Sequence, residues 1–191
     1  RAAFIAVQIL KSFLNVGIFS QDDYDLFMSN ISTIGKKLNR DRANLDRQTF
    51  LSRYGHLRPG TYDILSSRYD EKPDLYFKWS EKPLCLEKIK PFSLTLNQIT
   101  EIGKYLEDHD LKIDAVNLLN FIKDAIELRE LSKFHFTRNL SDVLSLIGEI
   151  GSKYNFELDD IAYCNINTFK ELYVTSTDLK SLLERSIEEG K

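Results

Sequence analysis

All four prolines of the chain, Pro59, Pro73, Pro83 and Pro91, fall in one stretch between His56 and Phe92. Proline fixes φ and lacks a backbone donor, so a segment where it recurs sustains neither a long helix nor a central strand. On both sides, apolar residues return every three or four positions, the period of an amphipathic helix. The chain therefore divides into N-terminal helices over 1–54, an irregular loop over 55–93 and C-terminal helices over 94–191. The expected fold class is mainly α: a helical bundle carrying a long irregular Pro-containing loop. Such a connection inside a compact domain is uncommon and usually functional or mobile.

A length of 191 residues suits a single helical domain. The opening "RAAFIAVQIL" starts in mid-pattern without a methionine, so the domain reads as a fragment of a larger multidomain protein. Gln8 and Lys11 interrupt the first apolar run, and no stretch reaches the ~18 apolar residues of a membrane span. A formal charge of −3 supplies no general basic field, so nucleic acid is not an expected partner, and without an apolar span neither is a membrane. Cys85 and Cys164 lie far apart and form no CxxC pair, which reads as free thiols in a cytoplasmic protein.

Ala2 to Leu14 reads as a helix ended by Asn15 and Gly17. Ser20 precedes "QDDYDLFMSNISTIGKKL", which reads as one further helix with Tyr24, Phe27, Ile31, Ile34 and Leu38 on one side. A short helix follows from about Asp46 to Tyr54, stopped at Gly55. Beyond the loop, Thr95 opens a helix, and Asp114 caps the longest one, to about Tyr154, with a bend or break expected near Thr137 to Ser141. "SEKPLCLEKIKP" reads as a solvated loop, and Thr177 as the cap of a last amphipathic helix.

In the long helix, Ala115, Leu118, Leu119, Ile122, Ala125 and Ile126 form an apolar stripe that resumes at Phe136, Leu140, Val143, Leu144 and Ile147. Arg129 and Lys133 fall in the middle of it. A buried cation needs a carboxylate, a phosphate or a route to water. The first reading is a cavity or neighbouring domain that brings an anionic group. The second, given more weight, is an internal ion pair with Asp63, Asp70 or Glu71 of the loop.

The loop carries "YGHLRPGTYDILSSRYDE", residues 54–71, rich in charged and aromatic side chains. Arg58 and Arg68 can each grip a carboxylate or phosphate bidentately, with Pro59 and Gly60 as the turn between flanks. Histidine is a residue type suited to proton relay, but His56 has no nucleophile at a telling spacing and reads better as a hydrogen-bonding fixture. Tyr54, Tyr62 and Tyr69 are expected to pack across the loop. No catalytic residue and no metal site is assigned.

"FLSRYGHLRPGTYDILSSRYDE" resembles the YGHRG...E.D...PR pattern of phosphoenolpyruvate-utilising enzymes, the phosphoenolpyruvate synthase and pyruvate phosphate dikinase group with its rifampin phosphotransferase relatives. "AIELRELSKFHFTRNLSDVLSLIGEIG" is similar to the helical segment that follows there. The resemblance implies a largely helical linker between an ATP-grasp domain and a swivelling phosphohistidine domain of the same parent chain. It assigns His56, Arg58, Asp63 and Arg68 to the linker motif and Arg129, Glu130 and Lys133 to the helical one. Ser67 stands where the family often has proline. ATP and Mg are implied for the parent phosphotransferase and no cofactor for this fragment, which is expected to have no activity alone. A domain binding a small-molecule acceptor, as in the rifampin phosphotransferases, is the alternative; an independent helical interaction module is a third.

Overall fold

A computed structural model describes residues 1–80, 90–171 and 178–191. Among the described residues the fold is mainly α, with ten helices and no strand. In chain order they are α1 (Ala2–Asn15), α2 (Gln21–Asn30), α3 (Ile34–Asn44), α4 (Arg47–Tyr54) and α5 (Pro73–Tyr76). After them come α6 (Leu96–Asp108), α7 (Ala115–Lys153), α8 (Leu158–Ile161), α9 (Ile166–Glu171) and α10 (Leu179–Gly190). No helix among the described residues is long and apolar enough to cross a membrane. Cys85, Pro83, Thr177 and most of the expected solvated loop lie outside the described residues.

The chain packs as two compact units, Arg1–Asn44 with Lys82–Phe134, and Leu45–Glu81 with His135–Lys191. The boundaries read from sequence, at 54/55 and 93/94, fall inside these units. Residues 115–134 of α7 belong to the first and 135–153 to the second. Where a bend or break was expected, at Thr137 to Ser141, α7 is unbroken.

In the first unit α1 buries Ala3, Ala6, Leu10 and Phe13, one face at three- and four-residue spacing. Gly17 ends the segment at φ 77, a left-handed conformation open to glycine at little steric cost. The next helix starts in a capping box: Asp23 N donates to Ser20 Oγ at 3.1 Å and Ser20 N to the Asp23 carboxylate at 3.0 Å. α6 starts the same way with Thr95 and Gln98. The Gln98 amide also donates to Asp23 at 3.2 Å, joining the two helix starts. Beneath them Leu10, Phe13, Phe19, Phe27, Ile102 and Ile122 form the core, each such side chain stabilising the unit by ~1.5–3 kcal/mol.

The single helix expected from Gln21 to Leu38 is two helices. Ser29 Oγ and Asn30 Nδ2 both donate back to Leu26 O, at 2.7 and 2.8 Å, and offer the last turn an alternative to helix continuation. Ile31, 2% exposed, turns extended to enter the core. Two charged groups then receive the freed backbone: Ser32 N donates to Glu127, and the Lys36 ammonium donates to the carbonyls of Ser29 and Ile31. Helix-period spacing continues through Ile34 and Leu38, and it is these local bonds that interrupt the backbone.

The second unit has an aromatic cluster and an aliphatic one. α4 starts at Asp46, whose carboxylate accepts from Thr49 N and Thr49 Oγ1. Phe50 packs against Tyr54, Phe77 and Trp79 with ring centroids 5.1, 5.2 and 5.7 Å away. Tyr69 packs on Phe77 and Tyr76 at 4.9 and 5.0 Å. Ile147, Ile161 and Ile187 form the aliphatic cluster, joining α7, α8 and α10. At α10 the observed cap is Asp178, accepting from Ser181 N.

Candidate functional site

α4 stops at Tyr54, and Gly55 opens a loop that returns on itself. Asp70 N donates to Gly55 O at 3.1 Å and Tyr69 N to Leu57 O at 2.9 Å, closing a neck around residues 58–68. Loops with such close ends form compact surface Ω-shaped elements. The neck requires glycine for space, since a Cβ on Gly55 would sit 2.8 Å from Asp70 Cβ. Within the loop, Asp63 N bonds Gly60 O and Ser66 N bonds Asp63 O, two consecutive turns. Asp63 Oδ1 accepts from Leu65 N, and Ser66 Oγ from Gly60 N. The small polar residues Asp63 and Ser66 are thus turn-forming here.

Arg58 fills this loop from within. Its side chain is buried, the residue only 7% exposed, and its guanidinium reaches α7 on one edge and the loop on the other. Nε donates to Ser141 Oγ at 3.0 Å, and Nη2 to Ser141 O and Ser145 Oγ at 3.3 and 3.2 Å. Nη1 donates to Ser66 O at 3.0 Å and, more weakly, to Asp63 O at 3.5 Å. All five N–H groups therefore have an acceptor, and none of these acceptors is a carboxylate. Burial pulls the Arg58 pKa below its ordinary value, opposed by the nearby Glu71 carboxylate.

Arg68, at the other side of the neck, forms ion pairs. Nε and Nη2 clasp the two oxygens of Asp70 at 2.9 and 2.8 Å, and Nη1 reaches Asp142 of α7 at 2.6 Å. These bonds, those to Asp70 foremost, raise the Arg68 pKa above its ordinary value. Glu71 closes the set by accepting from Arg68 N at 2.8 Å and from Ser145 Oγ at 3.2 Å. Ser145 therefore lies between Arg58 and Glu71, and one hydrogen-bonded network joins the loop to three positions of α7. An external phosphate would have to displace these bonds to reach either guanidinium.

His56 is buried at 3% exposure inside the neck. Asp63 is exposed, and its role is that of a turn acceptor. Tyr54 and Tyr69 pack in the aromatic cluster, whereas Tyr62 is 73% exposed and does not pack across the loop as expected. His56, Arg58, Asp63 and Arg68 are thus brought together in the second unit.

Arg129, Glu130 and Lys133 belong to the first unit. Arg129 and Lys133 are exposed, against the expectation of buried cations in an apolar stripe. Periodicity sets the angle of a residue on a helix but not where along the axis its packing neighbours end. The buried stripe of the first unit stops at Ile126. Arg129 lies over the Phe4 ring at 5.0 Å, a cation–π contact near the start of α1. Glu130 is half-buried. The continuation of the stripe also differs: Phe136 and Val143 are 56% and 46% exposed, while Thr137 and Ser141 are buried. Ser141, Asp142 and Ser145 were not among the sequence candidates. Their signal is a run of hydroxyls, Thr137, Ser141 and Ser145, at four-residue spacing on an otherwise apolar helix.

Compared with known proteins, the chain matches no family model, and no curated protein or solved structure shows significant similarity to it.

Proposed function

We propose that this chain is a non-catalytic helical module of a larger phosphotransferase of the phosphoenolpyruvate synthase type. Its clamped loop acts as a rigid guide for a moving phosphohistidine domain. One observation carries the reading: the charged groups of the motif loop bond inward, to α7 and to the loop itself. Such a site is poorly suited to general acid–base or nucleophilic work, which needs a group facing a reacting atom. It is well suited to holding one loop conformation, because a buried guanidinium released from its partners costs several kcal/mol. A guide surface benefits from that stiffness, since ordering on contact then takes less from the binding energy. ATP, Mg and the transferable phosphoryl group are, in this reading, handled by other domains of the parent chain.

The test has two parts. Incubated with γ-labelled ATP and Mg, the chain should neither hydrolyse the nucleotide nor retain acid-labile label; labelled histidine on it overturns the reading. In the polypeptide that carries it, Arg58→Met should slow phosphoryl delivery to the acceptor while leaving the ATP half-reaction unchanged. Unchanged delivery by that variant equally overturns it.

A further inference from the structure

The first unit contains a hollow of about 390 Å³ among α2, the segment before α6, α6 itself and α7. That volume lies in the range of ~300–1,000 Å³ typical of small-molecule sites. Its walls are mainly apolar, with Phe27, Ile31, Phe92, Ile99 and Leu119 facing it beside the polar Asn30 and Ser93. They are firmly held. Phe92 packs edge-on against Phe27 at 5.2 Å and tilted on Phe19 at 5.6 Å, and Ile31, Leu119 and Phe27 belong to the buried core.

α7 contributes four lining residues, Val116, Leu119, Asn120 and Lys123. Their spacing of i, i+3, i+4 and i+7 puts them in one stripe along the helix. The stripe changes character along its length, with two apolar residues followed by an amide and an ammonium. Both side chains are exposed, and among the described residues neither makes a side-chain hydrogen bond or ion pair. The contrast with the second unit is direct: the Arg58 and Arg68 donors are taken up by protein groups, whereas Asn120 and Lys123 face solvent and are open to an incoming group.

We propose that this hollow binds a small amphiphilic anion, with its apolar body between Phe92 and Leu119 and its carboxylate at Asn120 and Lys123. The mainly apolar walls favour a ligand with an apolar body over a wholly polar one. The single ammonium at one end favours an anion over a cation or a neutral alcohol. The hollow belongs to the first unit and the motif loop to the second, and either proposal can fail alone.

Decanoate is a suitable probe, with decyltrimethylammonium as the matched cation. Titrations followed by calorimetry and by amide chemical shifts should show saturable one-to-one binding of decanoate below ~1 mM, with shifts confined to the lining residues. Decyltrimethylammonium should bind at least about tenfold more weakly. Lys123→Gln should weaken decanoate by about tenfold, the size of one charge-assisted hydrogen bond. Val116→Trp, which fills the mouth from an exposed position, should remove binding while circular dichroism stays native; Leu94→Trp serves if that variant misfolds. Absence of saturable decanoate binding, equal binding of the cation, an unaffected Lys123→Gln protein, or a folded tryptophan variant that binds normally would each overturn the proposal.

Discussion

Replacing Arg58 by methionine keeps a long apolar stem in place and removes five donors. The two shortest bonds lost, to Ser141 Oγ and Ser66 O at 3.0 Å each, leave buried or half-buried acceptors behind. Hydrogen bonds to a charged group contribute roughly 1.5–3 kcal/mol each, so the pair is worth roughly 3–6 kcal/mol. The three longer bonds, at 3.2 to 3.5 Å, add less, and Asp63 O keeps its bond from Ser66 N. Against this, methionine no longer requires a charge to leave water, a relief of a few kcal/mol. The balance is a destabilisation of about 3 kcal/mol. Trp79, the one tryptophan of the chain, packs on Phe50 and Phe77 in the second unit, so its fluorescence reports on that unit. With a urea slope of roughly 1–3 kcal/mol/M, the midpoint should fall by about 1–3 M. Arg58→Lys should lie between, because an ammonium cannot reproduce the planar fork. A methionine variant within about 0.5 kcal/mol of the parent would refute the reasoning.

Other consequences are more local. Gly55→Ala should destabilise the second unit by roughly 1–3 kcal/mol in the same fluorescence assay, since the added methyl overlaps Asp70 at the neck. Both residues being exposed, Lys133→Met should shift the melting free energy by less than about 0.5 kcal/mol and Arg129→Met, which loses its contact with Phe4, by less than about 1 kcal/mol; losses above these bounds would restore the case for a buried partner. The carboxyls of Asp23, Asp46 and Asp114 are held below the ordinary 3.8, chiefly by Ser20 N–H, the Thr49 hydroxyl and Asn117 N–H respectively. Each binds its proton less readily folded than unfolded, so its contribution is present above about pH 4 and lost as pH falls through the folded value. Melting scans from pH 6 to 3 should show that loss, and Asp46→Asn together with Asp114→Asn should flatten it.

Much of the helical fold was legible because its signals are local. Ser20, Asp46 and Thr95 are each followed by the residues their caps require, and Gly17 ends α1 in the conformation glycine favours. The break after Asn30 was not legible, because a helical period encodes neither the back-bonding of Ser29 and Asn30 to Leu26 nor the distant Glu127 that takes up Ser32 N. For the loop, the composition showed that arginines, aspartates and aromatics would share a turn-rich segment, while the expected meeting of loop and long helix rested on treating Arg129 and Lys133 as buried, which they are not. Which part of the helix they meet was misread. Arg129 and Lys133 drew attention as cations in a greasy stripe, while the acceptors used are Ser141, Asp142 and Ser145, up to four turns further along α7. Hydroxyls on a helix are chemically quiet until an arginine from a distant segment needs them.

Native-state hydrogen exchange at Tyr69 and Asp70 addresses the clamped loop most directly. Their amides close the neck by bonding Leu57 O and Gly55 O, and a rigid clamp predicts protection on the scale of neighbouring helical amides. Both should lose that protection together in the Arg58→Met protein while α1 amides keep theirs. Exchange at unprotected rates in the parent chain, or protection indifferent to Arg58, would contradict the account.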